Sequence, residues 1–469
     1  MTTIPRKSAV PAFYLNALIE SFAAKSSTPI SLKHMINFGN AGRNKGEKEE
    51  AEKLIKGGNF LRTELPTRLS HRLRDLQELP LGVASHPRMA HVYDLYLEAF
   101  EGIRTFPPIK SLEDNDRFCQ YMQGTLNKHR VVIPELAIGV AEASTQQLPP
   151  AALDRIMLRM LRSRISRRVI TEQHIALTQQ FRERQRKGKD RAVNEEEETR
   201  VGIVDTKLNA ADVVKKCGEL MQALGGPESE VPIVVEGATD QTFAYISEHL
   251  EFMLFELIKN ATHATVSAHG SAAKDHPTLI TIVHRPRDLA IRVSDQGGGI
   301  APYGGLPPDP SDMAANPLFP SVNASAPLSA QRLDIFSFSH MRRYYQHHAA
   351  LAAVASENTL PSADTSSSSA TFPSSDAPSD PNATGIMALR SLTQLTGTVK
   401  EQLERRQRLG DGADGQAERD LIDAQMRSGI GLPLSRMYAE YFDGGLDIYT
   451  LQGWGSDAFL RIPKFGTAT

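Results

Sequence analysis

The sequence predicts an α+β chain: a helical N-terminal half, read as an antiparallel four-helix bundle, precedes a mixed α/β domain split by a long insertion. Three observations carry that reading. Long amphipathic stretches with short connections fill residues 28–180. After a stretch at 182–199 that switches from basic to acidic, short β-branched runs alternate with helical patterns. A Ser/Pro/Asp/Thr-rich tract at 357–385, with almost nothing to bury, lies inside the second domain. The resulting boundaries are a leader at 1–28, a helical domain at 29–181, a charged linker at 182–200 and an α/β domain at 201–469. The last is interrupted at 303–427 by a segment whose low-complexity core is expected to be disordered.

Taken in order, the first strong helix contains Leu69 to Leu76, with Pro66 suited to its first turn and Pro80 breaking it. Pro87 opens a second helix, whose Met89, Val92, Tyr93, Tyr96, Leu97 and Phe100 share a face. Phe118 to Ala143 and Leu153 to Phe181 supply two more. In the second domain, Ala210 to Leu224 is helical and Pro232 to Val235 is a short β-branched run. Phe252 to Val266 is an amphipathic helix, and Leu279–Val283 with Leu289–Asp295 form a hairpin. The insertion has periodic parts only near Ile335 to Val354 and Met387 to Leu409. A glycine turn at Ser428 to Gly431 then opens a helix through Phe442. A closing hairpin pairs Leu446–Leu451 with Ser456–Ile462 around Gln452–Gly455.

Composition narrows the function classes. Over 469 residues, 53 Lys+Arg stand against 55 Asp+Glu, so the chain lacks the basic field of a nucleic-acid binder and no nucleic-acid partner is expected. Cys119 and Cys217 allow neither a disulfide framework nor a CxxC zinc site and read as buried, inert thiols. No apolar run approaches about 18 residues, so no membrane-spanning helix is expected. The composition points to a reducing, intracellular setting, and Arg6, Lys7 and Lys25 with the single acid Glu20 resemble a weak organellar presequence. His71 reads as an exposed histidine on its helix, a phosphoacceptor only if the chain were a histidine kinase. The cluster Arg155, Arg159, Arg162, Arg164, Arg167 and Arg168 is dense enough to dock acidic groups.

The chemistry concentrates on the 252–266 helix. Leu250, Met253, Leu254, Leu257, Ile258, Ala261 and Thr265 form one stripe, and Glu256, Lys259, Asn260 and His263 form another on the far side. An acid, a cation, an amide and an imidazole within two turns suit a metal ion and phosphates beside a general base. Lys259 close to Glu256 would favour its ionised form. Alternation in the 289–295 strand places Asp295 at the end of the apolar row Leu289, Ile291 and Val293, where a carboxylate needs a donor. The exocyclic amine of adenine is such a donor, and the glycines of Gln296-Gly297-Gly298-Gly299 let a flat base approach backbone. Gly429-Ile430-Gly431-Leu432-Pro433 at a helix start favours phosphate.

That conjunction resembles the GHKL ATPase superfamily. Glu256-x-x-x-Asn260 looks like its N-box, Asp295-x-Gly297-x-Gly299 its G1 box, and Gly429-x-Gly431-Leu432 its G2 box. Longer stretches are similar to the mitochondrial 2-oxo acid dehydrogenase kinases, among them Phe60-Leu61-Arg62-x-Glu64-Leu65-Pro66, His71-Arg72-x-x-Asp75-Leu76, Ser163-Arg164-Ile165 and Gly431-Leu432-Pro433-x-Ser435-Arg436. The resemblance implies a Bergerat-type ATP domain after the helical bundle, with the insertion as an extended ATP lid. It implies a protein-serine kinase that uses ATP and Mg²⁺ to phosphorylate and inactivate the E1 component of a dehydrogenase complex. It also implies docking on the lipoyl domain of the E2 core, a homodimer and the mitochondrial matrix. Carried over by residue, Glu256 is the general base, with His129 near it, and Asn260 is the metal ligand. Asp295 is the adenine acceptor, aided by the Ser456 hydroxyl. Lys259, His263, Gly297, Gly299, Ser428, Gly429, Ile430, Gly431, Leu432 and Pro433 complete the nucleotide-binding set.

The chain departs from the family pattern at Arg427-Ser428, where Gly-Phe is usual, and at His263, where arginine is usual. It departs again at the lid residues Arg342-Arg343-Tyr344 and in the 465–469 tail, which lacks Asp-Trp. Leu279–Ile282 with Leu451-Gln452-Gly453 resembles the branched-chain member more than the pyruvate-directed ones. Two alternatives stand beside this reading: a nucleotide-gated protein that docks on the complex without phosphorylating it, and a two-component-like histidine kinase acting through His71.

Overall fold

A computed structural model of the chain describes residues 12–43, 46–142, 148–187, 199–300, 335–338 and 431–464. Most of the 303–427 insertion, with Arg342-Arg343-Tyr344, and Ser428, Gly429 and Ile430 lie outside them, as do most of the charged linker, the start of the leader and the 465–469 tail.

The helical region comprises α1 (Ala12–Ala23), α2 (Leu32–Arg43), α3 (Glu47–Gln77), α4 (Leu81–Ala84), α5 (Pro87–Thr105), α6 (Leu112–Lys128), α7 (Val132–Glu142) and α8 (Pro150–Lys187). Helix α3 is its hub and packs on α1, α2, α5, α6 and α8. The cause is the helical spacing of Leu54, Leu61, Leu65, Leu69, Leu73 and Leu76, all buried. Pro66 does not start this helix but lies within it. The lost bond to the Arg62 carbonyl is outweighed by packing on both sides of the proline. The expected third helix is broken by a 3-10 turn at His129–Val131, and the fourth runs on through the start of the charged linker to Lys187. Helix α6 begins at a capping box in which the Ser111 hydroxyl and the Asp114 carboxylate exchange main-chain N–H groups.

The α/β region holds β1 (Arg200–Val201), β2 (Val204–Asn209), α9 (Ala210–Leu224), β3 (Ile233–Gly237), β4 (Thr242–Ile246) and α10 (Ser247–His269). It continues with β5 (Thr278–His284), β6 (Asp288–Ser294), α11 (Gly431–Tyr441), β7 (Gly445–Leu451) and β8 (Gly455–Pro463). Five strands form one sheet in the order β3-β5-β6-β8-β7, parallel only between β3 and β5; β1-β2-β4 form a second, antiparallel sheet. The second sheet was not foreseen, because β1 and β2 bury few side chains and offer little alternation. The closing hairpin turns over three residues, not four: Leu451 pairs with Gly455 and Thr450 with Ser456. Gly455 belongs to the strand through that pairing, and glycine is needed there because a Cβ would run into the Asp295 carbonyl.

One face of the large sheet carries Ile280, Ile282, Leu289, Ile291 and Val293. These pack in one core with Leu250, Met253, Leu254, Leu257, Ile258 and Ala261 of α10. The two regions are joined by residues 335–338. Phe336 enters the sheet-side core and Phe338 the helical core, while Asp154 accepts from the Ser337 hydroxyl (2.7 Å) and the Phe338 N–H (2.8 Å).

Two expectations need correcting. His71 is half-buried, its Nε2 lying 3.0 and 2.9 Å from the carbonyls of Ala23 and Lys25, so the ring is tied to the end of α1. Cys217 is buried, but Cys119 is only partly so; burial raises both thiols, that of Cys119 to about 11. No described helix is long and apolar enough to cross a membrane.

Candidate active site

Helix α10 organises the site through its second stripe. Glu256 and Lys259 lie one turn apart and form an ion pair of 2.6 Å, with Lys259 buried and its Nζ held against the carboxylate. The first residue of α11, Gly431, abuts this pair: a Cβ there would collide with Glu256 Oε2. Any larger residue there would push the carboxylate aside, so glycine lets the main chain pass it in its present place. Asn260, one residue beyond Lys259, is exposed. His263, also exposed, places Nδ1 3.0 Å from Glu228 Oε1. Leu432 packs against the sheet-side core and Pro433 is buried, which anchors the start of α11.

The second glycine element presses on the same helix. Asp295 follows β6 directly, and its Oδ1 accepts N–H groups from Gly297 (2.8 Å) and Ser456 (3.2 Å). Burial raises this carboxyl and the two main-chain bonds oppose the shift. Its Oδ2 accepts no hydrogen bond among the described residues. Gly297 lies against the main chain of Ala264 and Thr265, where a Cβ would clash, and Gly298 and Gly299 take φ of 80° and 78°. The chain thus contacts α10 at Glu256 and again at Ala264, about 12 Å apart at about 1.5 Å per helical residue.

Ser456 touches Asp295 through its main chain; its hydroxyl donates instead to Thr450 Oγ1 (3.2 Å). Thr450 was missed in the sequence. It also accepts the Ile300 N–H (2.7 Å) and so ties the end of the glycine loop to the hairpin. The correct hairpin register, which pairs 450 with 456, is the signal that would have found it. Gln296 was missed as well: its carbonyl and side chain bond His269 and His276, whose rings stack at 3.7 Å.

His129 lies in the helical region, buried beside Tyr96, with Nε2 3.1 Å from the Leu95 carbonyl and its own carbonyl bonded by Arg164. Its described contacts do not include Glu256. Burial, assisted by Arg167, pushes its pKa down to about 3, so the ring is neutral. The basic cluster on α8 divides: Arg164, Arg167 and Arg168 turn inward, whereas Arg155, Arg159 and Arg162 stay exposed.

Residues 29–205 match the family described as mitochondrial branched-chain alpha-ketoacid dehydrogenase kinase. The chain is 25% identical over 473 residues to the mitochondrial pyruvate dehydrogenase (acetyl-transferring) kinase 2 of Saccharomyces cerevisiae, covering 95% of this chain and 83% of that protein. It is 26% identical over 454 residues to the mitochondrial pyruvate dehydrogenase (acetyl-transferring) kinase of Arabidopsis thaliana, covering 96% and 93%. With the mitochondrial pyruvate dehydrogenase (acetyl-transferring) kinase isozyme 3 of Homo sapiens it shares 31% identity over 298 residues, covering 60% of this chain and 68% of that one. The chain belongs to the mitochondrial 2-oxo acid dehydrogenase kinases, a family of protein kinases.

Proposed function

We propose that this protein transfers the γ-phosphoryl group of ATP to a serine on the E1 component of a mitochondrial 2-oxo acid dehydrogenase complex and thereby inactivates it. The observation that carries the reading is the Glu256–Lys259 pair pressed against Gly431, on the helix whose other face supports the strand leading to Asp295. In this reading Glu256 takes the hydroxyl proton as the serine oxygen attacks the γ-phosphorus. The bond to the ADP oxygen breaks and phosphoserine forms. Lys259 holds the carboxylate in place. Asp295 Oδ2 accepts from the adenine amine while Gly297 and Ser456 hold Oδ1. The glycine segment of Ser428, Gly429, Ile430, Gly431 and Leu432 receives the phosphates on main-chain N–H groups, and Pro433, which has none to offer, sets the first turn of α11. His263, paired with Glu228, lines the same helix face. We assign His129 a positioning role, through the bond between its carbonyl and Arg164 of α8.

Among the described residues no group of three His, Cys, Asp or Glu could hold a metal alone. The exposed side-chain amide of Asn260, one residue beyond the Glu256–Lys259 pair, offers a hard oxygen donor of the kind Mg²⁺ takes in small number beside substrate phosphates. The Asn260 amide oxygen would be its protein ligand, and the ion would offset charge on the transferring group. We read the sheet with α10 and α11 as a Bergerat-type domain, and α3, α5, α6–α7 and α8 as the four-helix bundle that meets the lipoyl domain of the E2 core. Val234, Val283, Tyr449 and Phe459 stay exposed on the other face of the sheet and support a homodimer on it; sedimentation as a monomer would remove that part. The matrix is the compartment that such a substrate requires.

The test is incubation of the purified protein with Mg²⁺-ATP and the E1 component of the pyruvate or the branched-chain complex. Phosphoserine should form on one, and its absence from both would sink the reading. Glu256→Gln should lower the rate by about 10²- to 10⁴-fold with ATP binding kept.

A further inference from the structure

A cleft of about 560 Å³ opens where the two regions meet. Its walls are residues 27–34, between α1 and the first turn of α2, together with α3, α8, the turn after α11 and the end of β8. That volume suits a compact ligand. None of the residues of the glutamate–glycine site lines it, and it lies at the far end of α11 from Gly431, about 16 Å away by helical rise.

Its charge is one-sided. Lys33, Arg68, Arg72, Arg159, Arg162 and Lys464 line it, against the single carboxylate of Asp443. Arg68 is balanced by Glu64 at 2.9 Å, and its other nitrogens bond Ser166 and the Thr28 carbonyl. Arg72 and Arg159, by contrast, share one acid. Their guanidinium groups lie 3.0 and 3.2 Å from Asp75, the first as a charge contact without hydrogen-bond alignment. Arg72 Nε is buried with no hydrogen-bond partner. Arg162 and Lys33 stand exposed, with no ion pair among the described residues. Cations held only for stability are matched by acids, since an unbalanced one adds desolvation and repulsion. Here the balance is left positive around an open space.

We propose that this cleft binds a compact polyanion carrying two or three negative charges on phosphate or carboxylate groups, at a site separate from the nucleotide site. Arg159 and Arg162, from the exposed half of the basic cluster on α8, would take the ligand with Lys33, while Arg72 forms the wall behind. The bound anion would supply the counter-charge that Asp75 alone does not.

The experiment is calorimetric titration of the full chain with pyrophosphate and, separately, with citrate, each with and without ADP and Mg²⁺ at saturation. Saturable binding of at least one probe in the presence of ADP is expected, and the probe preferred tells phosphate from carboxylate. The double variant Lys33→Glu/Arg162→Glu, both positions exposed, should weaken it about tenfold or more. Arg155→Glu, on the same helix but outside the cleft, should leave it within about twofold, the range of a surface change that touches no partner. No saturable binding of either probe, displacement by ADP, or binding unmoved by the double variant would overturn the proposal. Each readout is independent of kinase activity.

Discussion

The helical and sheet regions bury different things. In the helical region Glu64, Arg68, Asp75, Asn115, Gln173 and His174 are all buried, each inside a network. His174 Nε2 meets Asn115 Oδ1 at 2.9 Å, and Asn115 Nδ2 donates to Thr178 at 3.1 Å. Gln173 receives the Ile203 N–H at 2.9 Å and donates to the Val201 carbonyl at 3.2 Å, which ties α8 to the first strands. In the large sheet the inward positions of β5 and β6 are apolar apart from Thr278 and His284 at the two ends of β5, and the site groups sit at strand ends and on one helix face. Helices can slide past one another along apolar stripes, so directional polar contacts select one packing. Strands are held by their ladders, which frees the rim of the sheet for chemistry.

The sharpest way to break this comparison is Gly431→Ala. Its Cβ would displace the Glu256 carboxylate, and a misplacement of about 1 Å should cost about 100-fold in kcat. Unfolding stability should stay within about 0.5 kcal/mol, because nothing in either core changes. A variant that loses stability and keeps its rate would reverse the assignment.

Asn115→Leu makes the opposite cut. It leaves His174 Nε2 without its partner and removes one donor from Thr178, whose hydroxyl keeps the His174 carbonyl, and should destabilise by about 1–3 kcal/mol in denaturant unfolding. The phosphoryl-transfer rate per folded molecule should not move.

The smallest effect near neutrality concerns pH. Burial pushes His129, His174 and His249 down to about 3, 4 and 3; Arg167 beside His129 and Arg168 beside His249 act in the same direction. These rings are neutral in the fold and take a proton near pH 6.5 when unfolded. The unfolded chain therefore binds more protons below that pH. Their contribution is complete above about pH 6.5 and is lost as pH falls through about 4 to 3. His174→Gln should make the acid decline shallower by about one proton, measured as the slope of unfolding free energy between pH 5 and 6. An unchanged slope would show that His174 already carries its proton in the fold.

Much of the site was readable along the chain because its signals are local. The 3.6-residue period set the apolar stripe of α10 against the sheet and left Glu256, Lys259, Asn260 and His263 together outside it. Period two put Asp295 at the end of the row Leu289, Ile291 and Val293. Contacts between distant segments were not readable. Thr450 reached the glycine loop only once the hairpin register was known, and the Ser456 hydroxyl turned to Thr450 rather than to Asp295. Pro66 was misread because its helix is held by five neighbouring helices, which local propensity does not register.

By itself, then, the sequence determined which side chains share a face and where glycine frees the main chain, since both follow from the backbone repeat. Only the tertiary structure decided which faces meet. It set Gly431 on Glu256, Gly297 on Ala264, and Arg159 and Arg162 of α8 around a cleft shared with the end of α11 and β8. Such meetings depend on close packing and on the pairing of buried charges summed over the whole molecule, and no window of sequence contains that sum.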